Sequence, residues 1–343
     1  MAELLANLLR PWTNEVSIVE VAPNRTNFAA RFAGNDRTRC YAFEAHSDTV
    51  GIEGMTISPF EARIVGGRLY GRGAADTKGP MTAMLLAILR HLERHERPPC
   101  DILFLSTCDE ELGGLGAQRM AADGLRCDGM IIGEPTNLLP IDRHKGATRF
   151  RLTIHGRAAH SAYPEQGANA IHAAAHFIRS LEDSVTERAG ASNWPEPGPP
   201  TASVGVIHGG DQVNRVPDRA VLEIDFRIPP GLEPAVAERL IASAADSART
   251  KIPGLTTQIE TTQSYPAFRL DPKSPFRQKL TPFSPHFETA RYATNAGFFA
   301  RANLPCVVFG PGSPSEAHTA DESISLADVE QGAALLERFL EGL

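Results

Sequence analysis

Several things are missing from this sequence, and each absence narrows the reading. Its five cysteines, Cys40, Cys100, Cys108, Cys127 and Cys306, are scattered and odd in number, with no C-x-x-C pair. That fits reduced thiols in a cytoplasm better than a disulfide frame or a cysteine-based zinc site. No apolar stretch approaches the ~18 residues a membrane helix needs. There is no long basic run and the net charge is −7, which argues against nucleic acid as a partner. No G-x-S-x-G is present, which disfavours a serine hydrolase of that type. The segment GRGAAD (71–76) is not G-x-G-x-x-G and does not open a helix after a first strand, which disfavours a dehydrogenase. The opening MAELLANLLRPW reads as a short amphipathic helix without the basic front and long apolar core of a signal peptide. A cytoplasmic protein away from the membrane is the expectation.

What is present has the form of an enzyme. A chain of 343 residues exceeds the size at which single cores divide, so two domains are expected. Apolar residues make up 42% and charged ones 22%, as in ordinary globular proteins. Strand and helix signals alternate, which argues α/β. RCYAFEAH (39–46) predicts a strand, RIVGGRLYG (63–71) a hairpin about Gly66-Gly67, and PMTAMLLAILRHLERH (80–95) a helix with proline at its start. CDILFLST, CDGMIIGE and PCVVFG have the length of buried strands. SLADVEQGAALLERFL closes the chain as an amphipathic helix with Ser325 as its N-cap. The middle differs. TRFRLTIHG, NAIHAAAHFIRSLEDSV, TASVGVIHGG, AVLEIDFRIPP, PAVAERLIASAADSARTK and TTQIETTQ spell β-α-β-β-α-β, the ferredoxin-like order, with a Pro/Gly-rich loop at 187–200. The expected division is a catalytic domain over 1–147 and 265–343, with an inserted domain over 148–264.

Most metal-competent side chains fall at strand ends. His46 and Asp48 follow CYAFEA, and Asp76 lies in GRGAADTKG. Glu110 and Glu111 follow DILFLST, Glu134 follows GMIIG, and His318 comes after CVVFG. Each alone has a bland reading. A histidine after a strand is usually a packing or hydrogen-bonding residue, Asp76 could cap the helix near Gly79, and DEE could be a solvated loop. Together they are more telling, because the carboxyl ends of strands in an open α/β sheet converge on one crevice. Imidazole and carboxylate donors suit zinc and its neighbours. A pair of divalent ions needs a bridging carboxylate and private ligands, which His46, Asp76, Glu111, Glu134 and His318 can supply. Glu110 is then left beside a ligand, where a general base belongs. Asp48 can accept the second N–H of His46 and fix its tautomer.

EAHSDTVG, GRGAADTKGPMTAML, TCDEELGGLGA, GEPTNLLPIDRHKG, HGRAAHSAYPEQGANAI and GPGSPSEAHTADE occur in an order that resembles the M20 family of metallopeptidases, over nearly the whole chain. The resemblance implies a zinc-hydrolase catalytic domain carrying an inserted ferredoxin-like dimerisation lid. It implies Asp76 as the bridging ligand, His46 and Glu134 on one metal, Glu111 and His318 on the other, Glu110 as base, and Asp48 as the partner of His46. It implies two divalent ions; the ligand types make zinc the first choice, with cobalt or manganese as activators. It also implies a homodimer in which His160 reaches the partner subunit's active site. Asn214, Arg227 and Gly312, in segments similar to the family's, are candidate substrate contacts. The expected substrate is a small N-acyl amino acid such as N2-acetyl-L-ornithine, cleaved to acetate and the free amine. An N-succinyl-diaminopimelate desuccinylase or a dipeptidase is the alternative. The desuccinylase type carries TSD-x-R-F where this chain has ATNAGFF (293–299), without the arginine. A non-catalytic binding relative is the alternative of another class, and it would have no need to keep five ligands and a base. Such sequences usually open with a further helix and a S-x-N-P turn that do not precede Met1 here, and ELLANLLRPW resembles their second helix.

Overall fold

A computed structural model describes residues 1–280 and 284–343. Residues 281–283, inside the segment assigned to the second catalytic piece, lie outside it. Two compact units are present. One comprises Met1–Arg143, Phe268–Thr289 and Thr294–Leu343, and the other His144–Ala267 with Ala290–Ala293.

The first unit is built on a nine-stranded mixed sheet. At its centre Asp36–His46 pairs in parallel with Cys100–Thr107 on one side and Gly129–Ile132 on the other, and Cys306–Val308 pairs in parallel with Gly129–Ile132. These are the unbroken apolar runs of the sequence. Strands covered on both faces have no solvent side to alternate with, and Phe43, Ile102, Phe104, Met130, Ile131, Ile132 and Val307 are all buried. The helices Gly79–Arg94 and Leu326–Glu341 pack against each other. Ser325 caps the second, its Oγ accepting from the Asp328 amide at 3.2 Å. The glycine hairpin forms as read, with Arg63–Val65 antiparallel to Arg68–Tyr70. Gly66 and Gly67 both take positive φ (58° and 75°), which their missing Cβ permits.

One pair of strands carries no clear signal in the sequence. Glu15–Ala22 and Arg25–Phe32 form an antiparallel hairpin that extends the sheet beyond Cys100–Thr107. The outer strand is mostly exposed or half-buried, so its apolar signal is weak.

The second unit is a four-stranded antiparallel sheet in the order Thr201–Gly209, Arg219–Ile228, Gly146–His155, Thr256–Tyr265. The helices Ala170–Gly190 and Pro234–Lys251 bury Ala173, Ala174, Phe177, Leu181, Ala237, Ile241, Ala244 and Ala248 against it. Small residues on both helices let the layers approach closely. Asn169 is the N-cap rather than a helical residue, its Oδ1 accepting from the amides of Ile171 and His172. The first helix runs to Gly190, so the Pro/Gly loop begins later than residue 187. No helix among the described residues is long and apolar enough to cross a membrane.

Candidate metal centre

His46 ends the central parallel strand and is 1% exposed. Its Nε2 lies 2.9 Å from Asp76 Oδ1. The other Asp76 oxygen, Oδ2, lies 3.1 Å from His318 Nε2, and that nitrogen is also 3.1 Å from Glu111 Oε1. Each oxygen of one carboxylate therefore faces a different imidazole. Ligand atoms of His46, Asp76 and Glu111 lie within 4.8 Å of one another. Glu134, 6% exposed after the strand Gly129–Ile132, is outside that tight group but close enough for its charge to interact with Asp76, His46 and Glu110.

Asp76 does not cap the following helix. That helix starts at Gly79, with Lys78 at the N-cap position and no side-chain cap. Asp48 also departs from expectation. The closer acceptor for His46 Nδ1 is the backbone carbonyl of Asp48 at 3.0 Å, while the nearest carboxylate oxygen is 3.6 Å away. The Asp48 carboxylate instead accepts from the backbone amides of Glu110 (3.1 Å) and Glu111 (3.0 Å). It thereby holds the turn that bears both acids. Two amide donors in a turn outcompete a side-chain N–H that a nearer carbonyl already satisfies.

The charges here are crowded. Burial pushes Glu110 up to about 8, with Glu111, Asp76 and Asp48 adding to the effect and His46 opposing it. Burial, then Asp76, raises Glu134 well above the ordinary carboxylate range. Asp76 goes the other way. Burial opposes its charge, but hydrogen bonds from His318 and His46 outweigh burial and hold it low. His318 rises to about 10 through its hydrogen bonds to Asp76 and Glu111. Burial works against a charged His46, yet Asp48 and Asp76 raise it well above its usual value. Acids meeting at this density, mostly out of water, are what a bound cation would relieve. Nitrogen and oxygen donors without thiolate fit zinc and neighbouring divalent ions. A cavity of about 540 Å³, lined by Ser47, Asp48, Gly51, Glu111 and Leu112 among others, opens beside these residues.

Gly312 lies in the same unit, with φ +88° and its carbonyl accepting from the Asn137 amide. The remaining candidates are in the second unit. His160 is exposed, its Nδ1 accepts from the Ala162 amide at 3.0 Å, and its short strand pairs with Arg215–Val216. The Ser161 amide donates to the Asn214 carbonyl at 3.0 Å, which brings His160 and Asn214 together. Arg227 is not with them. It stands near the far end of the strand Arg219–Ile228, roughly 26 Å from Arg219 at about 3.3 Å per residue. There it pairs with Asp225 at 2.6 Å. The buried Lys145 amine has its pKa lowered by burial first and then by Arg291, with a smaller contribution from Arg227. Lys145 and Arg291 were not singled out in the sequence. Neither was Glu322, a carboxylate 1% exposed that binds the backbone around Asp76. Its position four residues after His318 was the one available signal.

The parallel centre of the mixed sheet, with imidazoles and carboxylates gathered beside it, fits the metal-dependent hydrolase class. Residues 42–342 match peptidase family M20/M25/M40, and the chain belongs to that family. It is 34% identical to an acetylornithine deacetylase of Edwardsiella ictaluri over 361 residues, covering 98% of this chain and 90% of the relative. Its fold is similar to that of a tripeptidase from Staphylococcus aureus (TM-score 0.81, 19% identity, 99% and 91% coverage). It is also similar to that of a Bacillus subtilis protein described as a dinuclear metal-binding peptidase from the M20 family (TM-score 0.71, 15% identity, 99% and 90% coverage).

Proposed function

We propose that this protein is a two-metal amidohydrolase that removes the acetyl group from the α-nitrogen of an amino acid of the N-acetylornithine type. The observation that carries the two-metal part is Asp76, whose two oxygens face His46 and His318 separately. When bound, divalent ions, zinc first and cobalt as an alternative, would supply Lewis acidity to the acyl carbonyl and acidify water. His46, Asp76 and Glu134 would hold one, and Asp76, Glu111 and His318 the other. Glu110 acts as the base. It takes a proton from the attacking water and returns it to the nitrogen as the C–N bond breaks, leaving acetate and the amine. Asp48 fixes Glu110 and Glu111 through their amides.

The substrate assignment draws support from the deacetylase relatives. A homodimer is part of this proposal. In it, His160 of the partner subunit would serve as a donor to the developing oxyanion. A panel of N-acyl amino acids and dipeptides tests the assignment. N-acetylornithine should be cleaved fastest. Faster cleavage of N-succinyl-diaminopimelate or of a dipeptide would move the protein to that activity.

A further inference from the structure

We infer that Glu322 is a positioning residue for the metal centre, fixing the backbone of Asp76 so that its carboxylate is presented between the two histidines. The inference rests on the metal-binding reading above.

The geometry is complete at both oxygens. Glu322 Oε1 accepts from the amides of Ala75 at 2.9 Å and Asp76 at 3.1 Å. Oε2 accepts from the Gly73 amide at 3.0 Å and from Arg72 Nη1 at 2.7 Å. The carboxylate thus fills a nest of backbone N–H groups, opened by Gly73 at φ +81°. This stretch, Ala74–Lys78, has no regular helical geometry to hold it, since Asp76 sits at φ −121°, ψ 90°. Without an anion in the nest, its amides would be buried without acceptors, and the loop would have other conformations open to it.

Glu322 is itself anchored. Its carbonyl accepts from the Gly71 amide at 3.0 Å. The next residue begins the strand Ser323–Ser325, paired with Arg68–Tyr70. Four residues earlier, His318 meets the Asp76 side chain. A single segment, 318–322, therefore grips Asp76 from two sides, with an imidazole on its carboxylate and a carboxylate on its amide. A metal-bridging residue has to satisfy two ions at once, so its tolerance for backbone drift is small.

The test is metal binding by the full chain after chelator treatment, read by zinc titration calorimetry and by the visible spectrum of the cobalt form. Glu322→Gln keeps the shape but turns an N–H toward N–H donors. It should weaken at least one of the two metal sites by roughly 10- to 100-fold and alter the cobalt spectrum, at a temperature where circular dichroism shows it folded. Should it not fold, Glu322→Asp keeps the charge and the Arg72 partner but is one methylene short, and it should lose affinity in the same direction. Folded variants with wild-type affinities and an unchanged cobalt spectrum, differing only in melting temperature, would overturn the inference. A wild-type chain that takes up no divalent metal would overturn the metal reading itself.

Discussion

Glu110 offers a test in which stability and activity move in opposite directions. In the metal-free chain, burial and its acidic neighbours raise its carboxyl from the ordinary 4.5 to about 8. A carboxyl raised on folding binds its proton more tightly in the native state. Its favourable contribution is present at low pH and is lost as pH rises from the unfolded value through the folded one. At 1.36 kcal/mol per pKa unit, the gap costs the folded metal-free protein roughly 5 kcal/mol once pH exceeds both values. Glu110→Gln removes that cost, because the amide carries no charge to desolvate. The perturbation should therefore stabilise the metal-free protein at pH 9 and do little at pH 5. The difference between those two pH values is roughly 4 kcal/mol by the same arithmetic. The assay is urea denaturation of chelator-treated wild type and variant at both pH values. Turnover of the metal-loaded variant should fall by roughly 10²- to 10⁴-fold, the range for a lost general base. A variant that is less stable than wild type at pH 9, or whose stability difference does not change with pH, would refute the crowding argument. A variant with near-normal turnover would refute the base assignment.

Three further outcomes are expected. His46 and His318 are both raised above their usual values by neighbouring carboxylates, and a ligating imidazole must be neutral. Metal uptake at pH 7 should therefore release protons and strengthen as pH rises; calorimetry in buffers of different ionisation heat measures this, and proton-neutral uptake would contradict it. His160→Ala should retain metal and lose kcat, and mixing it with Glu110→Gln should restore part of the activity in verified heterodimers; heterodimers no better than their parents would sink the shared site. Arg72→Met strips the buried Glu322 of its cation, the pair being 4% and 1% exposed. It should cost about 3–5 kcal/mol in denaturation, and a loss below 1 kcal/mol would mean the pair is not buried as described.

The strands nearest the site were legible because burial on both faces leaves an unmistakable apolar run, as in DILFLST and GMIIG. The acids after those runs were legible only together, since each alone could be a solvated loop or a turn, while several at successive strand ends converge on one crevice. The hairpin Glu15–Phe32 was not, because an exposed outer strand alternates too weakly to be told from a loop. Residue types and their order along the chain determined an α/β enzyme with a nitrogen–oxygen metal site and an acid beside it. Only the tertiary structure decided what each acid touches. It turned the Asp48 carboxylate from an imidazole to two amides, set Asp76 between two histidines, and put Glu322 behind it. The physical reason is that periodicity reports which face of an element a residue occupies. Hydrogen-bond partners come instead from loops remote in sequence, whose approach is fixed when the sheet and its helices pack.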